Sequence, residues 1–298
     1  MRRVMCMTGV LLGTAVILIL LLNVRSTPPG NTGGDRLRVV SLSPSVTEML
    51  FALGGEDCLV GVTEHCDYPP EARNIDCVGG FGKPNIEKLL AMSPDLVITT
   101  RLKDTDAAAV LRRSGIQVLY VKTRDFSEIF AAFREIGREV GKPQQAEQIV
   151  AAMQAELETI AQRYRMIPHD RRPRVFVELW RDPITTIGRR SHIDDVIALA
   201  GGVNVACQLD STHSTINPEK VIEWNPDVIL LGHADRGESK ISFSERIGWS
   251  DIAAVRSGRI IDDIPSDILL RPGPRLIDGV KMLSQRLHGA ETKEAAPK

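Results

Sequence analysis

The sequence predicts an α/β protein of two lobes, each a mainly parallel sheet covered by helices, joined by a single long α-helix. Three observations predict it. Short β-branched runs alternate with helical patterns along most of the chain. Near mid-chain, an uninterrupted helical pattern from Pro143 to Ile167 breaks that alternation, which then restarts. Finally, a stretch of 17 residues is written twice, as PNIEKLLAMSPDLVITT from residue 84 and INPEKVIEWNPDVILLG from residue 216.

Taken in order, the chain opens with Met1-Arg2-Arg3 and the uncharged apolar run VMCMTGVLLGTAVILILLLNV. Roughly 20 such residues at about 1.5 Å each span the hydrocarbon core of a bilayer. The preceding arginines favour a cytoplasmic N-terminus, so the body is expected to be extracytoplasmic or periplasmic. The run is long for a signal peptide and no small-x-small cleavage site follows it. Cys6 lies at its start, where a lipoprotein signal would need a cysteine just after it. Residues 1–25 are therefore read as a membrane anchor, with a cleaved signal as the alternative. Residues 26–36, rich in Pro, Gly and small polar side chains, read as a flexible tether.

The first lobe is expected over residues 37–142. RVVSL, CLVGVT, DLVITT and QVLYVK read as strands, with SPSVTEMLFALGG, NIEKLLAM and DAAAVLRRSG as helices. The linking helix is assigned to 143–168, about 36 Å of helix without internal Pro or Gly. The second lobe, 172–289, repeats the alternation with RVFVELW, HIDDVIALAGG, PEKVIEWNP, DVILLG, RIIDDI and RLIDGVKMLSQRLHG. Residues 290–298 read as a disordered tail.

Composition narrows the function. A formal net charge of −1 and 25% charged residues give no electrostatic footprint for nucleic acid. Cys58, Cys66, Cys77 and Cys207 show no metal-site spacing and read as small buried hydrophobes or one incidental disulfide. No P-loop, H-E-x-x-H or G-x-S-x-G is present, and GGFGKPN does not lead from a strand into a helix as a dinucleotide fingerprint would. The chain is therefore not expected to be an enzyme, and no catalytic, metal or cofactor site is assigned.

In the duplicated unit, Asn85 and Asn217 stand at the N-cap, Glu87 and Glu219 in the first turn, and Pro218 at N1. Each copy turns at Pro-Asp into a buried strand. First-turn glutamates commonly serve only their own helix dipole, but the duplication asks for more.

Six blocks now stand in order: VVSLSPSVTEMLFALG, VGVTEHCDYPPEAR, VGGFGKPNIEKLLAMSPDLV, GRRSHIDDVIALAGGVNV, INPEKVIEWNPDVILL and RPGPRLIDGVKML. Together they resemble the solute-binding proteins of ABC importers whose lobes are joined by one helix, and within them the cobalamin (vitamin B12) binding proteins. The likeness spans residues 36–289. It implies Rossmann-like lobes with a ligand cleft between them, capture of cobalamin or a related corrinoid, and delivery to a dimeric permease by a receptor expected to be monomeric. It further implies that Glu87 and Glu219 dock to arginine pockets on the two permease subunits, a role suited to a carboxylate on a rigid helix start.

Ligands of such folds lie beyond the carboxyl ends of the strands. The candidate ligand-binding residues on the segments expected there are His65, Tyr68, Phe81, Arg101, Trp180, Arg181, His213, Asp267 and Arg271. A corrinoid wants flat apolar surface and a few orienting polar groups, and Phe81 and Trp180 suit that need. The cobalamin binders usually carry Tyr and Trp where His65 and His213 stand. These two histidines read either as loop residues making ordinary hydrogen bonds or as axial ligands of a metal centre. The latter keeps a ferric siderophore or haem as the alternative ligand. His169, His192, His233 and His288 read as incidental, and Trp224 and Trp249 as core.

Overall fold

The computed structural model describes residues 36–103, 105–232 and 243–289. The N-terminal apolar run, residues 26–35 of the tether, His233 and the C-terminal tail lie outside them. The first lobe runs β1 (Val39–Ser41), α1 (Pro44–Ala52), β2 (Leu59–Gly61), β3 (Gly79–Gly80), β4 (Lys83–Pro84), α2 (Ile86–Ala91), β5 (Leu96–Thr99), α3 (Asp106–Arg113), β6 (Gln117–Tyr120) and α4 (Phe126–Glu139). Strands β2-β1-β5-β6 form a sheet in which every pairing is parallel. All four residues of β5 are buried, as expected for a strand with helices over both faces.

Helix α5 (Pro143–Tyr164) follows, with Pro143 in its first turn, and ends three residues before the sequence pattern does. The second lobe runs β7 (Arg174–Glu178), β8 (Trp180–Arg181), β9 (Ile184–Ile187), α6 (His192–Leu199), β10 (Val203–Asn204), β11 (His213–Thr215), α7 (Pro218–Trp224), β12 (Val228–Leu231), α8 (Ala253–Arg256), β13 (Ile260–Ile261), α9 (Ser266–Leu270) and α10 (Leu276–His288). Its main sheet, β10-β7-β12-β13, is again wholly parallel. The architecture is thus an α/β fold of parallel sheets with ten α-helices among the described residues.

The duplicated sequence occupies the same slot in both sheets: α2 feeds β5 beside β1, and α7 feeds β12 beside β7. Its Pro-Asp has a structural task. Asp95 Oδ2 accepts from the Arg38 backbone N–H at 2.8 Å, and Asp227 Oδ2 accepts from that of Arg174 at 2.9 Å. Each carboxylate thus pins the start of the neighbouring strand. Just before each proline the backbone passes through positive φ, 46° at Ser93 and 42° at Asn225, which ends the helix sharply. The caps differ. Asn85 accepts from the Lys88 N–H at 2.9 Å, whereas Asn217 sits at the N-cap without a side-chain bond, its place taken by the preset φ of Pro218. Glu87 and Glu219 are exposed, and neither forms an ion pair among the described residues.

Two features were not legible as elements in the sequence. Helix α4 is capped by Asp125, which accepts from the Glu128 N–H at 2.8 Å, and buries Phe126, Ile129, Phe130, Phe133 and Ile136. Strands β11-β9-β8 make a small antiparallel sheet on the second lobe. Through α4 and α5 one apolar core runs without interruption from Val39, Met49 and Ile98 to Val175, Leu230 and Leu283. Trp224 and Trp249 are buried in a smaller cluster with Phe176, as expected of core residues. All four described cysteines are free thiols; Cys66 is buried, while Cys77 and Cys207 are exposed.

Candidate ligand cleft

A cleft of about 500 Å³ opens at the carboxyl ends of β1, β5 and β6, between the two lobes. Each strand hands the chain to it differently. β1 runs into Ser43, whose hydroxyl meets that of Thr100 at 2.6 Å and ties the start of α1 to the end of β5. Buried Thr99 accepts from the N–H groups of Arg101 and Leu102, turning the chain outward so that Arg101 enters the wall. β6 delivers Tyr120, Lys122, Thr123 and Arg124. The antiparallel pair β3-β4 closes over Phe81 and Gly82; Gly82 takes φ +78°, and Phe81 at the tip lies under the Arg101 guanidinium at 4.8 Å. His65 completes this side, its Nε2 3.5 Å from Glu64 Oε1.

The second lobe supplies His192, Thr212, Asp267, Leu270, Arg271 and Pro272. His192 packs at the start of α6 with Nε2 2.9 Å from the Leu269 carbonyl. A carbonyl only accepts, so the proton sits on Nε2. Burial lowers the pKa of this imidazole to about 4, and it is neutral at physiological pH.

At one end of the cleft a charge cluster bridges the lobes. Glu48 of α1, 2% exposed, accepts from Arg275 Nε at 2.8 Å and Nη2 at 2.6 Å. Arg271 reaches Glu48 at 3.4 Å, Asp67 at 2.6 Å and Asp267 at 2.8 Å. Burial pushes the Asp67 carboxyl up, but the Arg271 hydrogen bond and charge outweigh it and hold the group below the usual carboxylate range. Glu48, Asp67 and Arg275 were not foreseen. The one available signal was the pair of arginines four apart in RPGPR.

Of the residues named from sequence, His65, Phe81, Arg101, Asp267 and Arg271 line this cleft. Tyr68 lies beside the charge cluster, its ring 3.8 Å beneath the Arg275 guanidinium. Trp180 and Arg181 form β8, with Trp180 Nε1 donating to the Asp182 carbonyl at 2.9 Å. His213 opens β11 opposite Ile187, and its neighbour Thr212 is the lining residue. The structure thus does not bring His65 and His213 together in the cleft wall; the histidine facing His65's lobe there is His192.

The family model described as "Periplasmic binding protein" matches residues 39–266. The chain belongs to the periplasmic binding protein family. A relative 33% identical over 86% of this chain and 82% of its own length is an uncharacterised ABC transporter substrate-binding lipoprotein, YvrC, of Bacillus subtilis. Among solved structures, the periplasmic haem-binding protein RhuT of Roseiflexus sp. RS-1 superposes with a TM-score of 0.75 at 28% identity, covering 86% of this chain and 99% of that one. The vitamin B12 binding protein BtuF of Vibrio cholerae gives 0.71 at 27% identity, covering 85% and 97%. This periplasmic binding protein is accordingly the substrate-binding component of an ABC transporter.

Proposed function

We propose that this receptor captures a corrinoid outside the cytoplasm, hands it to a dimeric permease and performs no chemistry on it. The observation that carries the ligand class is the character of the cleft wall. Hydroxyls of Ser43, Ser45, Thr100, Thr123 and Thr212 ring it, and the Phe81 ring offers one flat apolar face. A macrocycle fringed with amide arms is matched by these hydroxyls, set among the charged groups of the same wall, around an apolar surface. The resemblance to the B12 binder of Vibrio cholerae supports the same ligand.

Haem or another ferric chelate is the second reading. His65, the histidine exposed in the cleft wall, and the superposition on a haem-binding protein favour it. In either case Phe81 and Arg101 act from the first lobe and Asp267 from the second, with His65 a minor polar contact for a corrinoid and an axial ligand for haem. Tyr68 and Arg271 brace the wall, and Trp180, Arg181 and His213 belong to the small antiparallel sheet of the second lobe. Glu87 and Glu219 are the permease contacts, and the apolar N-terminal run tethers the receptor to the membrane.

Calorimetric titration of the purified protein with cyanocobalamin, with haem and a ferric hydroxamate as competitors, tests the proposal. Tight binding of cyanocobalamin alone supports it. Silence toward cyanocobalamin with haem or ferric-chelate binding moves the receptor to iron uptake.

A further inference from the structure

The charges in the cleft are distributed unevenly. Four cationic side chains line it, Arg101, Lys122, Arg124 and Arg271, against one carboxylate, Asp267. Two of the four are already matched: Arg124 is clamped on Glu128, and Arg271 is shared among Glu48, Asp67 and Asp267. The cluster that bridges the lobes at one end of the cleft holds three carboxylates, Glu48, Asp67 and Asp267, against the two guanidiniums of Arg271 and Arg275, so that end carries no excess of positive charge. His192 adds none, being neutral. Arg101 and Lys122 are left, and neither forms an ion pair among the described residues.

Their placement is a matched pair. Thr99 and Tyr120 are opposite one another in the parallel β5-β6 register, and Arg101 and Lys122 each follow two residues later. Neighbouring strands lie about 4.8 Å apart, so the two cations rise from adjacent strand ends into one wall. Arg101 also lies over Phe81, which steers the guanidinium without neutralising it. In a concave wall, such a pair of like charges focuses potential on one spot.

We propose that Arg101 and Lys122 form an oxyanion subsite on the first lobe that binds an acidic group on the rim of the ligand and sets which way round it lies. This rests on the capture reading above and deepens it. For a corrinoid, the group is the phosphodiester of its nucleotide loop, so the receptor distinguishes complete cobalamin from cobinamide, which lacks that phosphate. For haem, the same subsite takes a carboxylate.

The test is titration of the full-length protein with cyanocobalamin, dicyanocobinamide and haem, repeated for Arg101→Gln, Lys122→Gln and the charge-preserving Arg101→Lys. A charge-assisted hydrogen bond lost corresponds to roughly tenfold to hundredfold in affinity. Cyanocobalamin is expected to bind at least tenfold tighter than cobinamide, with the ratio falling toward one in either Gln variant, recovering in Arg101→Lys and shrinking as salt rises. If haem is the ligand, the Gln variants weaken haem by the same factor, and the source of the oxyanion is the carboxylate. Equal affinity for cobalamin and cobinamide, unmoved by the variants, overturns the subsite and leaves capture standing. So does haem binding indifferent to both variants. Binding of none of the three overturns the capture reading and the subsite with it. Both positions are exposed, and unchanged thermal melting of the variants separates lost affinity from lost folding.

Discussion

Replacing Glu48 with Gln removes the central carboxylate of the bridge between the lobes while keeping its volume. In the native protein this side chain is 2% exposed and accepts two short hydrogen bonds from Arg275 and a longer one from Arg271. Removing one partner of a buried ion pair costs about 3–5 kcal/mol, chiefly because the other charge is stranded. Here the stranding is incomplete. Arg271 retains Asp67 and Asp267, and the Arg275 side chain is 19% exposed and rests on the Tyr68 ring. The lower end applies, about 3 kcal/mol. For a body of this size each kcal/mol moves the melting midpoint by roughly 2–4 °C, so Glu48→Gln should melt about 6–12 °C below the parent. Far-UV circular dichroism melts at neutral pH measure it. A midpoint within 2 °C of the parent would refute the reasoning, since the cluster would then be an exposed, solvent-screened set of charges. A second variant, Glu48→Leu with Arg275→Met, replaces the pair by apolar groups and is expected to recover much of the loss.

Other expectations follow from the same geometry. Trp249→Ala, at a fully buried ring packed on Phe176, should cost about 3–5 kcal/mol in denaturant unfolding. Glu87→Ala and Glu219→Ala should each weaken permease binding by tenfold or more while ligand titrations are unchanged, separating docking from capture. His65→Ala should leave corrinoid affinity within a few fold, whereas a haem receptor would show a changed Soret band, so absorption spectra of the loaded variant decide the histidine's role. The His192 imidazole has its pKa lowered to about 4 from 6.5, so the unfolded chain binds this proton first. Its contribution is intact above about pH 6.5, falls as pH drops toward 4, and amounts to at most about 3 kcal/mol. Asp67, held low by Arg271, adds a loss at still more acid pH, once its own carboxyl protonates. In His192→Gln the first of these two losses should vanish from the pH–stability curve.

Much of this was legible because local physics and tertiary placement agree. The duplicated Asn-x-Glu-Lys helices and Pro-Asp turns carry their own capping and turn chemistry, so both fold where the sequence puts them. Helix α4 was missed although Asp125 caps it and Phe126, Ile129, Phe130 and Phe133 follow helical spacing; its pattern was eclipsed by the longer helix beside it. β8 and β11 were illegible for a different reason, since WR and HST lack the aliphatic run that marks strands as short as β1 and β13. At the cleft, residues on loops that leave strand ends could be anticipated, as Phe81 and Arg101 were. Glu48 could not be. A glutamate in an apolar helix reads as that helix's solvent face, and only a guanidinium some 220 residues away in sequence explains its burial.

The apolar core that runs unbroken through α4 and α5 has a consequence for transport. It makes the distance between Glu87 and Glu219 a fixed ruler, since pulling the lobes apart would open water-filled gaps along the whole length of the linking helix. On the docking proposal above, a receptor gauged this way would present the same two contacts to its importer whether empty or full. Discrimination between the two forms would then have to come from what fills the mouth of the cleft, making the ligand itself part of the proposed docking surface.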